Sequence, residues 1–213
     1  MSNIIKEIGG IIISPRATLE AISKKEDISG AFIVVLIASI LSGIFSILLD
    51  RPMSKMMTEL LGIEIPPSEP ISLLITFALI IIFSLITWVI VAGIFRLIAS
   101  VFGGEGSYKK IIQLYGYVYA IIFVLSPLQT IILMIAFPIM PIHGIMAIMG
   151  IFGLIGIIWN LIISTFAISI AENISIIKAF FVLLISYIIF IILLVVMYFI
   201  FIILLVIIMM AFI

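Results

Sequence analysis

Five stretches of this chain run for 20 residues or more with at most one Asp, Glu, Lys or Arg apiece. They lie at Ser29 to Leu49, Ile71 to Val101, Lys110 to Phe137, Ile142 to Ala171 and Lys178 to Ile213. About 20 apolar residues in helical form cross a bilayer core of about 30 Å, so each stretch can span a membrane. A soluble domain carries charge on about a quarter of its residues to wet its surface. Here the charged fraction is 9% against 66% hydrophobic, and the mean hydropathy is +1.60. The expected fold is all-α, a polytopic bundle of five transmembrane helices over 29–213. A short amphipathic cytoplasmic segment over 1–28 is expected to precede it. The last stretch holds 36 residues without Gly, Pro or Asn. It reads as one long helix of about 54 Å rather than a hairpin.

The breaks between spans carry the polar residues. Asp50 to Pro70 reads as a polar, proline-containing loop, Pro138 and Pro141 mark a tight turn, and Glu172-Asn173 separates the last two spans. Lys6, Arg16, Lys24 and Lys25 precede the first span, Arg96, Lys109 and Lys110 surround the second break, and Lys178 follows the fourth. Eight of the ten basic residues therefore fall on one side. The positive-inside rule makes that side cytoplasmic, with the N-terminus in and the C-terminus outside. The cell membrane is the expected location.

Within residues 1–28, Ile4, Ile5, Ile8, Ile11 and Ile12 recur at helical spacing, although Gly9-Gly10 weakens that helix. Ser14-Pro15 predicts a second helix start, with a capping hydroxyl and proline in the first turn. Leu19 and Ile22 share its apolar face. Two roles are open for this segment: an interfacial helix on the inner leaflet, or a lead-in packed beneath the bundle.

The one glycine-dense hydrophilic break, Phe102-Gly103-Gly104-Glu105-Gly106-Ser107, invites comparison with a phosphate cradle. The spacing fits neither common nucleotide loop, and a membrane helix rather than a strand precedes it. The structural reading is that the glycines supply the positive φ that ends the second span and Ser107 caps the third. Gly103, Gly104, Gly106, Ser107, Lys109 and Lys110 form the candidate surface for lipid or a partner, the lysines sitting at headgroup level.

Polar side chains within spans are costly and mark functional candidates. Gln129, just after Pro127, and Asn160, after Trp159, are the main ones, with Ser126, Ser164 and Thr165 beside them. They read either as interhelical hydrogen bonds or as a polar pathway. Arg96 lies five residues inside its span; its stem can snorkel to the headgroups, or it can pair with Glu172 as an interface pair. Trp88, Trp159, Tyr108, Tyr115, Tyr117 and Tyr119 include several expected in an interfacial aromatic belt. Gly150, Gly153 and Gly156 leave a smooth helix face for close packing.

The inventory argues against catalysis. There is no cysteine, and the single histidine, His143, lies across the bilayer from the glycine loop. Asp27 and Asp50 flank the first span at opposite ends, too far apart for an aspartyl pair. No catalytic, cofactor-binding or metal site is expected, and no cofactor. Ten acidic and ten basic residues cancel, so nucleic acid has no electrostatic claim as a partner.

Several short motifs resemble the Yip family, membrane proteins named for interaction with Ypt/Rab GTPases. They are Ser14-Pro15-Arg16-Ala17-Thr18-Leu19-Glu20, Ser29-Gly30-Ala31, Phe102 to Tyr108, Tyr115-Gly116-Tyr117, and Trp159 some 20 residues before Ile176-Ile177-Lys178-Ala179. The resemblance implies five spans and a cytoplasmic N-terminus. Eukaryotic relatives act in early secretory vesicle traffic and carry long cytosolic N-terminal regions. This chain has about 28 residues before its first span and lacks their Asp-Leu-Tyr-Gly-Pro motif. It is therefore similar to the short prokaryotic form, and the departure counts against GTPase binding. The expected function is non-enzymatic: scaffolding of partners or organisation of the bilayer, with membrane lipids and a membrane-protein partner or second copy as contacts. The alternatives are a small transporter or channel using Gln129 and Asn160, and a subunit of a larger membrane complex.

Overall fold

The computed structural model describes residues 2–25 and 27–211. Eight α-helices follow in order: α1 (Ser2–Ile13), α2 (Pro15–Ile22), α3 (Ser29–Leu61), α4 (Pro70–Val101), α5 (Tyr108–Gly116), α6 (Ile122–Ala136), α7 (Ile142–Glu172) and α8 (Ile176–Ala211). A 3₁₀ turn, Tyr117–Ile121, joins α5 to α6. Five spans long and apolar enough to cross a membrane result: α3, α4, the α5–α6 unit, α7 and α8. The protein is an all-helical, multi-pass membrane bundle, and 178–211 is one uninterrupted helix.

The first span differs from its expected end at Leu49. Its helix continues through Pro52 to Leu61, leaving only 62–69 as loop. Residues 53–61 are mostly good helix formers, and Met56 is buried against Leu133 and Ile145. The loop then folds back along this extension: Asp50 accepts from the Ser68 amide at 2.9 Å and its hydroxyl at 2.7 Å, and Thr58 accepts from the Ile65 amide at 2.9 Å. Proline spoke for a loop, and tertiary contacts overrode it.

The main core sits at one end of the bundle. Ile11, Leu19 and Ile22 of α1 and α2 are buried there with Val34, Val35, Phe95, Leu114, Ile168 and Leu183 from five other helices. The N-terminal helices are thus tucked beneath the bundle. Gly9 and Gly10 leave α1 unbroken, and Gly10 serves contact: a Cβ there would lie 2.6 Å from Thr18 Oγ1. Ser14 stands at the N-cap of α2 as expected, with Pro15 next, but its side chain makes no cap bond. Its φ of −143° and ψ of 69° depart from the usual cap conformation.

The aromatic residues also differ from expectation. Tyr115 and Tyr117 lie inside this core rather than in a lipid-facing belt. Trp88 is buried too and donates from Nε1 to the Ile112 carbonyl at 2.9 Å. Phe95 packs edge-on against Tyr115 with centroids 4.9 Å apart. Internal partners for ring and polar tip outbid the interface. At the opposite end the buried hydrophobic cluster among the described residues is Met56, Leu133 and Ile145, with partly buried neighbours such as Met53 and Phe137 packed on it.

Candidate functional site

The glycine loop closes the packed end, and its geometry begins with the stop of α4. Gly103 adopts a φ of +82°. The Gly104 amide donates to Ala99 O at 2.8 Å and the Gly103 amide to Ser100 O at 3.2 Å. That pair of bonds around a left-handed residue is a Schellman stop. Ser107 then caps α5, its hydroxyl oxygen accepting from the Lys110 amide at 3.2 Å.

Across the loop lies the end of α7. Asn173 stops that helix with a left-handed φ of 56°, a conformation asparagine tolerates. Ser169 Oγ donates to Ile174 O at 2.7 Å and fixes the turn into α8. Glu172, the last residue of α7, is fully buried. One of its oxygens, Oε2, accepts from Arg96 Nη1 at 2.6 Å and from the Gly106 amide at 3.1 Å. Arg96 also donates to the Gly104 carbonyl at 3.2 Å. The Glu105 amide reaches Glu172 O at 3.1 Å, and Lys178 Nζ donates to Phe102 O at 3.0 Å. Of the two readings of Arg96, the structure places the guanidinium on Glu172.

Glycine is required where the loop passes α7. A Cβ on Gly106 would press on the Ala171 carbonyl and lie 2.9 Å from Glu172 Cα. Both obstacles are backbone, which cannot rotate away. A Cβ on Gly104 would lie 2.7 Å from Glu172 Oε2 and 2.9 Å from Ala99 O. These glycines let two helix ends meet over a buried ion pair, and the loop they form is packed rather than open to a phosphate.

The N-terminal helices attach to the same assembly through Gln113 and Glu7, to which the sequence assigned no role, and through Tyr117 and Lys25, expected elsewhere. Gln113, almost fully buried, donates from Nε2 to the Ile22 carbonyl at 3.0 Å. The Tyr117 hydroxyl donates to Glu7 Oε2 at 2.5 Å, and Glu7 pairs with Lys25. A signal for Gln113 existed: it is the one amide in the otherwise apolar run Ile111 to Leu114. The exposed charges at this end are mixed with a basic excess: Glu20, Asp27 and Glu105 stand among six exposed basic side chains of the described residues. Lys6, Arg16, Lys24, Lys25, Lys109 and Lys178 are exposed on this end, with Ile5 and Ile13 beside them. Lys109 forms no ion pair among the described residues, and Lys110 is half-buried.

The two intramembrane amides are not brought together. Asn160 Oδ1 accepts from Tyr187 OH at 2.7 Å and Ser164 Oγ at 3.3 Å, tying α7 to α8. Gln129 lies on α6 and lines a groove against α3. The groove beside Asn160 is lined partly by Gly153, Gly156 and Tyr187, and no residue lines both. His143 is exposed at the start of α7. Among the described residues nothing from outside the local helix backbone lies within 4 Å of a Cβ built on Gly150 or Gly153, whereas one on Gly156 would lie 3.6 Å from Leu125 Cδ1, so only the first two leave an uncovered face.

The arrangement can bind and hold shape: the ion pair joins a guanidinium to a carboxylate whose Oε2 is filled, while its Oε1 is buried without a hydrogen-bond partner among the described residues. Comparison with known proteins agrees with a family defined by its membrane bundle. The family model described as the Yip1 domain matches residues 9–198, which covers the end of α1, all of α2, the glycine loop, four spans and most of the fifth. An uncharacterized protein from Methanocaldococcus jannaschii is 31% identical over 107 residues, covering 50% of this chain and 73% of that one. No solved structure matches the chain significantly. The chain belongs to the Yip1-domain family of multi-pass membrane proteins.

Proposed function

We propose that the protein is a non-enzymatic membrane scaffold that presents a fixed basic platform on the cytoplasmic side, where it holds a partner or organises anionic lipid. The observation that supports this reading is the coupling of a rigid interior to a basic rim. Arg96, Glu172 and the glycine backbone lock the loop from beneath, while Lys109 stands exposed above it. A basic residue near an anionic surface is worth about 1 kcal/mol, so several on one rigid face act together. The excess of basic residues on this side supports an inward orientation by the positive-inside rule.

Crosslinking the protein in its native membrane tests the reading. Associated protein or anionic lipid should be captured by the natural chain and largely lost in the Lys109→Gln, Lys110→Gln double variant. Equal capture by both would overturn the platform.

A further inference from the structure

Two polar stripes face each other across an otherwise apolar part of the bundle. Ser42, Ser46 and Asp50 recur four residues apart and so share one face of α3. Ser126, Gln129 and Thr130 hold one face of α6. Together they line a cavity of about 380 Å³, with Met149 of α7 closing it. Ser46 at its mouth is exposed and Thr130 at its floor is buried, so the cavity is a groove that opens sideways.

Its depth follows from helix geometry. Asp50 begins the charged segment that continues through Arg51 and Lys55, and Ser42 lies about 12 Å further in along α3. The α6 residues lie within the last three turns before Ala136. The groove therefore covers the zone where a lipid carries its glycerol and the base of its headgroup.

Its chemistry is specific. Ser46, Ser126, Gln129 and Thr130 make no side-chain hydrogen bond among the described residues, so the groove faces its contents with free hydroxyls and a free carboxamide. An amide alone has two donors and two acceptor sites, and leaving them empty beside hydrocarbon is costly. No Lys or Arg lines the groove, and Asp50 supplies negative charge at its edge. An anionic group is therefore disfavoured. We infer that this groove binds an uncharged, hydroxyl-rich group, and that the carrier is the sugar headgroup of a neutral glycolipid in the leaflet away from the glycine loop.

The test uses the purified chain in detergent, titrated separately with diglucosyl diacylglycerol, phosphatidylglycerol and free maltose, with bound molecules counted by native mass spectrometry. The glycolipid should saturate at one per chain and bind at least about tenfold tighter than phosphatidylglycerol. Gln129→Leu should weaken it about tenfold, the effect of losing one or two well-placed hydrogen bonds. Ser46→Leu should do the same by blocking the mouth. Both variants place an apolar side chain where lipid can cover it, and unchanged thermal unfolding would show that each still folds. Saturable maltose binding with the same sensitivity would uphold the polyol chemistry and assign it an aqueous source. Undiminished glycolipid binding in both variants, a preference for phosphatidylglycerol, or no saturable binding of any probe would overturn the inference.

Discussion

The two ends of this bundle are built on different principles. At the glycine-loop end, seven helices and the 3₁₀ turn contribute buried side chains, and most buried polar groups find partners within the chain, Glu172 Oε1 being an exception. At the other end three buried residues form the cluster, and two open cavities interrupt the packing. The last part of α8 goes further, with residues 191–204 exposed on every face. Water would punish such exposure, but lipid does not: apolar side chains lose little when hydrocarbon replaces a neighbouring helix. The packed end is thus the part whose shape the sequence enforces, and the open end leaves its filling to the membrane.

The sharpest break of that contrast is Glu172→Ala. It removes the carboxylate that holds Arg96 and the Gly106 amide, leaving a partly buried guanidinium beneath the loop. Removing one partner of a buried pair costs about 3–5 kcal/mol, and the side chain of Arg96 is 30% exposed, so the lower figure applies. We expect apparent thermal stability in detergent to fall steeply and proteases to cut between 102 and 107. Wild-type behaviour would mean the loop is held by glycine packing alone.

A pair of glycine substitutions comes next. Gly106→Ala forces a methyl against the backbone of α7, and overpacking of that kind costs about 1–3 kcal/mol. Gly153→Ala meets nothing within 4 Å and should be neutral or stabilise α7 by up to about 1 kcal/mol through helix propensity. Opposite signs in thermal unfolding would sharpen the comparison. Equal losses would show that the glycine face of α7 is covered in the assembled protein.

Smaller again is Gln113→Leu, which severs the tether between α5 and the end of α2. The Ile22 carbonyl loses its side-chain donor, at a cost of about 1–2 kcal/mol. Faster hydrogen exchange should appear in α1 and α2 and not in α7. Uniform acceleration across the bundle would make the tether part of the global core instead.

The contrast between the ends also explains what the sequence disclosed. Spans are local properties of composition and length, so α4 and α7 could be placed within a residue at each end. Gly103 and Ser107 were legible because a left-handed stop and a hydroxyl cap are chemical requirements of single positions. The extension of α3 past Pro52 was hidden, since its cause is Met56 meeting Leu133 and Ile145 from distant parts of the chain. Tyr117 was misplaced for the same reason: its hydroxyl partner, Glu7, lies 110 residues away. Arg96 and Glu172 were legible only as one of two readings, since a guanidinium near a membrane surface can equally snorkel to headgroups, and the pairing depends on α4 and α7 meeting at the loop.

The smallest effect concerns Asp27, which belongs to the packed end yet is fully exposed to water. It accepts from the Ser29 hydroxyl at 2.7 Å and the Ser29 amide at 2.9 Å, occupying one of the unpaired donors at the start of α3. The hydroxyl bond first and the amide bond second hold its carboxyl below the usual range; desolvation opposes them, and the weaker charges of Lys109 and Lys25 assist. A carboxyl depressed in the folded state stabilises above its unfolded pKa of about 3.9 and loses that contribution as pH falls through the folded value. The melting difference between the natural chain and Asp27→Ala should therefore be small at pH 6 and shrink further below about pH 4. A difference that grew on acidification would mean the carboxyl is held in its protonated form, and proximity to the packed end rather than exposure would then govern its energetics. The expected result keeps the opposite rule: within the packed end, a contact is worth what its burial makes it, so Glu172 and Asp27 mark the two limits of one scale.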